Sequence, residues 1–157
     1  MPIALKPLDV DAFAPFGQVI SRPARAGDRA SYEAGLSSHR PQATVRLWVN
    51  HVRPTTLPLL ATKLERHRYS SQTFLPLSVS RYIVITAPSL ASGAPDVAGI
   101  VGFVAEGTQG ITYAADVWHH PICALDEPAS FAVLMWQDDS PSDEEWATLP
   151  DPILLYM

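Results

Sequence analysis

Leu64-Glu65-Arg66-His67-Arg68-Tyr69-Ser70-Ser71-Gln72-Thr73-Phe74-Leu75-Pro76 sets a carboxylate and an imidazole two residues apart, with an amide five residues further on. In an extended strand alternate side chains share a face, so Glu65 and His67 point the same way, about 6.5 Å apart, while Arg66 and Arg68 point to the other side. In a helix the same two side chains diverge by about 200°, and only i+3 or i+4 neighbours meet. The strand reading therefore yields a metal-ligand or acid/base pair, and the helix reading dissolves it.

The chain around this stretch reads as strand. Residues 43–52 are rich in β-branched and aromatic side chains and stop at the turn-forming Arg53-Pro54. Val45, Leu47, Val49 and His51 share one face there, with His51 expected as a hydrogen-bonded structural residue. The run Leu57-Pro58-Leu59-Leu60-Ala61 is ambiguous, with proline favouring extended chain. Residues 78–87 make the strongest strand, ended by Pro88, and 99–105, 111–113, 122–125 and 130–136 follow, separated by turn-forming segments.

Helix is expected only near the two ends. One short piece is capped by Asp9 and stopped by Pro15 and Gly17, with Phe13 and Phe16 in the core. The other, near residues 142–147, is opened by Ser142-Asp143-Glu144-Glu145-Trp146 read as a capping box. Residues 21–42, with four Arg, two Pro and two Gly, form a long irregular loop, either a binding segment or a solvated excursion. His39 and Arg40 within it read most simply as surface residues.

A second stretch faces the first. In Val117-Trp118-His119-His120-Pro121 adjacent histidines on a strand point to opposite faces, so only one joins Glu65 and His67. Many short strands about ten residues apart, with almost no helix, describe an all-β barrel or sandwich, and 157 residues make one ordinary domain. Polar residues near a barrel mouth are a usual ligand site.

Composition narrows the classes of function. A hydrophobic share of 47% with 17% charged residues fits a compact chain and argues against disorder. No apolar run reaches the roughly 18 residues of a membrane span, and the first residues carry no secretion pattern, so a cytoplasmic location is expected. The lone Cys123 forms no internal disulfide. A net charge of −5 without a Lys/Arg cluster gives nucleic acid little electrostatic reason to bind, so no nucleic-acid partner is expected.

Leu64-Glu65-Arg66-His67 with Gln72-Thr73-Phe74-Leu75-Pro76, then Gly107-Thr108-Gln109-Gly110 and Trp118-His119-His120-Pro121, resemble the ureidoglycolate lyase family. The likeness runs from Phe13-Ala14-Pro15-Phe16-Gly17 to the last strands. It implies an all-β, cupin-like β-barrel (a double-stranded β-helix) over residues 1–157 with short terminal helical pieces. It further implies cleavage of ureidoglycolate to glyoxylate and urea in allantoin breakdown, a divalent metal, and a homodimer. Carried over by position, Glu65 and His67 stand where a typical cupin has His-x-His, Gln72 where its Glu would be, and His119 where its late His would be.

The resemblance makes Glu65, His67 and His119 the expected catalytic residues and Glu65, His67, Gln72 and His119 the expected metal ligands. Gln72, Arg40, Tyr113 and Trp118 are the expected substrate contacts. The chain departs from the family at Ala34-Gly35 in place of Asn-Gly, at His51 in place of Arg, and at Asp116 in place of Gly. These departures touch substrate contacts more than the Glu65, His67 and His119 group.

The chemistry can also be stated from the substrate alone. Ureidoglycolate is a carbinolamide, so a base takes the hydroxyl proton while an acid protonates the departing urea nitrogen. Its carboxylate needs a cation or a metal, for which Arg40, Arg46, Arg53 and Arg81 are candidates. Imidazole, carboxylate and amide ligands suit nickel, manganese, iron or zinc rather than a thiolate-loving metal. Another metal-dependent cupin enzyme acting on a small polar acid, or a non-catalytic cupin-like binding module, are the competing classes.

Overall fold

The computed structural model describes residues 1–157. Strands β1 (Pro2–Ala4) and β2 (Lys6–Pro7) precede helix α1 (Val10–Phe13) and β3 (Gly17–Ser21). After the long loop come β4 (Thr44–Val52), β5 (Leu59–Arg66), β6 (Gln72–Ser78) and β7 (Arg81–Ala87). The second half holds β8 (Val101–Glu106), β9 (Gln109–Tyr113), β10 (Trp118–His119), β11 (Cys123–Leu125), β12 (Ala129–Gln137) and β13 (Glu145–Tyr156).

These strands form two facing sheets. One runs β1-β13-β5-β10-β7-β8-β2, with β11 also paired to β7, and the other runs β3-β9-β6-β12-β4. Between them lies a core of Phe13, Phe74, Tyr82, Val84, Phe103, Ile111, Tyr113, Phe131 and Val133, contributed by both sheets and by α1. A second core, with Leu64, Ile83, Ile85, Trp118, Ile153 and Leu155, covers the other face of the larger sheet. Alternation explains the split, because Tyr82 and Val84 point into the barrel while Ile83 and Ile85 point out of it. Strand β7 is thus apolar on both faces, which is why residues 78–87 read as the strongest strand.

The N-terminal helical expectation holds: Asp9 caps α1 by accepting from the Asp11 and Ala12 amides. The C-terminal one does not. Residues 141–143 form a single 3-10 turn, capped by Ser140 rather than by Ser142, and Glu145 to Tyr156 is the longest strand in the molecule. Its interior prolines hid it, yet Pro150 and Pro152 fall where the pairing with β5 shifts register, between Thr148 and Ile153, so their missing amide protons disturb no ladder. No helix is long and apolar enough to cross a membrane.

Candidate active site

Strand β5 delivers the first half of the site. Glu65 is its next-to-last residue and His67 the first beyond it, and both are buried. Strand β10 delivers the second half, with His119 directly opposite Glu65 in the antiparallel register. Glu65 Oε1 lies 3.6 Å from His119 Nε2, and the two imidazole centroids are 5.4 Å apart. One ligand-capable atom from each of Glu65, His67 and His119 falls within 4.8 Å of the others.

The second nitrogen of each histidine fixes what the first can do. His67 Nδ1 donates to the Asp143 carbonyl at 2.8 Å, and His119 Nδ1 donates to the Val117 carbonyl at 2.9 Å. Each Nε2 is then left as a lone pair, the arrangement in which outer hydrogen bonds orient metal-binding imidazoles. His67 Nε2 is buried without any hydrogen-bond partner. Gln72 Oε1 lies 3.1 Å from His119 Nε2, an acceptor facing a lone pair, which a cation between them would satisfy. Buried polar atoms are rarely left unpaired, so this donor set fits a divalent cation.

Electrostatics leave the cluster uncharged at neutral pH. Burial, then a hydrogen bond to the Glu144 carboxyl and the like charge of that group, push Glu65 up to about 8, against a weaker pull from Lys63. Burial lowers His119 to about 3, helped by the neighbouring His67. Burial also lowers His67, against its bond to the Asp143 carbonyl. A protonated carboxyl and two neutral imidazoles remain.

Of the expected substrate contacts, Gln72 lies on the cluster, and Tyr113 stacks on it with its ring 4.1 Å from that of His119 and nearly parallel. The Tyr113 hydroxyl is fully buried and unpartnered. Trp118 lies on the opposite face of β10, in the outer core, where its indole N–H donates to the Gly93 carbonyl. Arg40 is no surface residue. It binds Asp138, Ser140 and the carboxylate of Asp143, whose carbonyl orients His67, so the long loop staples the turn that aims that imidazole. His120 turns away from the cluster toward the Pro121 carbonyl and the Cys123 thiol.

A cavity of about 350 Å³ opens beside the cluster, with His67 and Gln72 in its wall alongside Trp48, Met135, Gln137, Ser140, Pro141, Asp143 and Glu144. No Lys or Arg lines it. Arg46 and Arg81 are engaged with Asp139 and Asp126 at the surface. Sequence reasoning missed Glu144. Read as strand, the acidic run gives it away, because Glu145 reaches outward to Arg66 and alternation sends Glu144 to the Glu65 side.

Two of the family departures lie away from the cluster's ligand-capable atoms. Asp116 has φ 70°, a left-handed conformation glycine adopts freely and aspartate tolerates, and it pairs with Arg66. His51 sits exposed on the outer face and bonds Ser130.

The profile of the ureidoglycolate lyase family matches residues 1–155. A ureidoglycolate lyase of Burkholderia mallei (strain NCTC 10229) is 40% identical over 144 residues, covering 84% of this chain and 81% of its own. One from Azotobacter vinelandii is 31% identical, covering 98% and 97%. A dTDP sugar isomerase from Desulfovibrio desulfuricans G20 superposes with a TM-score of 0.51 at 15% identity, covering 87% of this chain and 83% of that one, a likeness of fold alone.

Proposed function

The chain belongs to the ureidoglycolate lyase family, enzymes that are lyases on a cupin-like barrel, and we propose that it cleaves ureidoglycolate to glyoxylate and urea at the Glu65, His67 and His119 cluster. One observation carries the reading: two imidazole lone pairs and a carboxyl converge beside a polar cavity that holds no cation of its own. His67, His119 and one oxygen of Glu65, with Gln72 alongside, would hold a divalent metal, which supplies Lewis acidity and a countercharge for the substrate carboxylate.

The reaction moves one proton. The carbinol O–H proton passes to the free oxygen of Glu65, the C–N bond breaks as the aldehyde carbonyl forms, and Glu65 returns the proton to the departing urea nitrogen. Burial raises the proton affinity of Glu65, which suits a base, and with a cation held at the site the carboxyl would start ionised, as the first half of the transfer requires. Tyr113 supports His119 from behind, and the Arg40 to Asp143 pair holds His67 in its rotamer. The test is to incubate purified protein with ureidoglycolate and each of nickel, manganese, iron and zinc. Equal release of glyoxylate and urea is expected, and no release with any metal overturns the reading.

A homodimer belongs to the same proposal. Strand β4 is the unpaired edge of its sheet over nine residues, and its outer face exposes Val45, Leu47 and Val49 beside Leu75 and Leu77. An apolar edge of that length invites pairing with its own copy. Sedimentation at micromolar concentration should show a two-chain species, and a monomer refutes it.

A further inference from the structure

Glu144 has no step of its own in the reaction above, yet it lines the same cavity as His67 and Gln72, and its carboxyl meets that of Glu65. The other carboxylate of that wall is occupied. Asp143 accepts from Arg40 and from the Asp138 and Asp139 amides. Glu144 has no Lys or Arg partner and follows the 3-10 turn into the start of β13, which puts a carboxyl with no cation beside it at the cavity mouth. Deeper in, the unpartnered and almost fully buried His67 Nε2 faces the cluster.

This polarity matches a two-ended substrate. A mouth carrying the Glu144 carboxyl, the Gln137 amide and the Ser140 hydroxyl, with no cation, disfavours a carboxylate and attracts N–H donors. The carboxylate and carbinol end of ureidoglycolate must then face the cluster, and its ureido end, a set of N–H donors, must face the mouth. We infer that Glu144 is the residue that selects the ureido group, accepting its N–H donors and so holding the scissile C–N bond over Glu65. This rests on the function proposed above.

A site built to hydrogen-bond a polar group rejects the analogue that lacks it, because its own acceptor is left unpaired. The probes are N-carbamoylglycine, which is the substrate without its hydroxyl and cannot react, and N-acetylglycine, in which a methyl group replaces the terminal amide nitrogen. Binding of each to the metal-loaded full chain is measured by calorimetry for wild type, Glu144→Gln and Glu144→Ala. Bound metal, melting temperature, and KM and kcat for ureidoglycolate are measured on the same samples.

Wild type should prefer the carbamoyl probe by about 10- to 100-fold, the range of a hydrogen bond to a charged acceptor. In Glu144→Ala the preference should collapse toward unity and KM should rise by a similar factor, with Glu144→Gln between. Metal stoichiometry at saturation should match wild type, and both variants should remain folded. An unchanged preference in Glu144→Ala overturns the inference, and so does a loss of bound metal, which would make Glu144 a ligand. If wild type discriminates the probes but does not cleave ureidoglycolate, the proposed reaction fails while the ureido site stands.

Discussion

Arg66 and His67 are neighbours in the chain and opposites in their surroundings. Arg66 points out of the barrel, where its guanidinium bonds both oxygens of Glu145 at 2.9 Å, lies 3.0 Å from Asp116, and stacks 4.4 Å from the Trp118 ring. His67 points in, where its Nε2 is buried with no partner beside a carboxyl held protonated and a second bare imidazole. The same alternation that supplies Arg66 with partners on one face gathers unmet polar groups on the other. Such local violations of good packing persist where a ligand or a reaction requires them. The outer face should therefore govern stability and the inner face turnover.

The largest effect expected tests the inner face. His119→Ala should lower ureidoglycolate turnover at least roughly a hundredfold and strip bound metal, while costing about 1 to 3 kcal/mol of folding. His120→Ala, which removes only the outward bonds to Pro121 and Cys123, should act on melting temperature alone. A His119→Ala protein that keeps near-wild-type activity and metal would sink the whole assignment. The reverse test is Arg66→Ala. It removes a buried cation but leaves Glu145 and Asp116 about half exposed, so the loss should be about 2 to 4 kcal/mol with turnover within a few-fold of wild type. Denaturant unfolding and steady-state rates on one sample decide both, and a crossed result would erase the distinction between the faces.

The sequence carried this two-faced arrangement because period-two alternation is a local property. Glu65 in and Arg66 out, His119 in and His120 out, follow from strand geometry as soon as strand is accepted. The non-local parts were hidden. Nothing in Arg40 announces that it reaches Asp138 and Asp143 about a hundred residues away. Trp118 reads from the resemblance as a substrate contact beside His119, although alternation alone turns it outward. The acidic run 143–145 fits a helix N-terminus and a strand entrance equally well, and only pairing with β5 decides for strand, so Glu144 escaped notice.

The inner face should also show itself in pH dependence. Glu65 is raised to about 8 from 4.5, so its contribution to the stability of the metal-free protein is full below about 4.5 and is lost as pH rises toward about 8. His119 is lowered to about 3 from 6.5, so its contribution is full above about 6.5 and is lost as pH falls toward about 3. Between pH 6.5 and 8 only the first changes, and the melting temperature of the metal-free protein should fall across that window. Glu65→Gln should flatten the decline. With a divalent ion present the slope of binding should run the other way, because ligation expels the proton, and affinity should rise toward pH 8. A metal-free wild type whose melting temperature is level from pH 6.5 to 8 would show that Glu65 is ionised.

The smallest change separates support from contact. Tyr113 is sealed among Phe13, Phe74 and His119, and burial drives its hydroxyl well above the ordinary phenol range, so it stays protonated. Its oxygen has no hydrogen-bond partner. A buried hydroxyl without a partner costs about 1 to 3 kcal/mol of desolvation relative to water, while the ring alone supplies the stack on His119. Tyr113→Phe should then be neutral, or more stable by up to about 1 kcal/mol, with kcat and KM within about twofold of wild type. Tyr113→Leu, which keeps apolar volume but loses the flat surface, should lower kcat without raising KM, because His119 is no longer held in place. If Tyr113→Phe instead raises KM for ureidoglycolate, the hydroxyl reaches the substrate, and the inner face extends one residue deeper than the Glu65, His67 and His119 cluster.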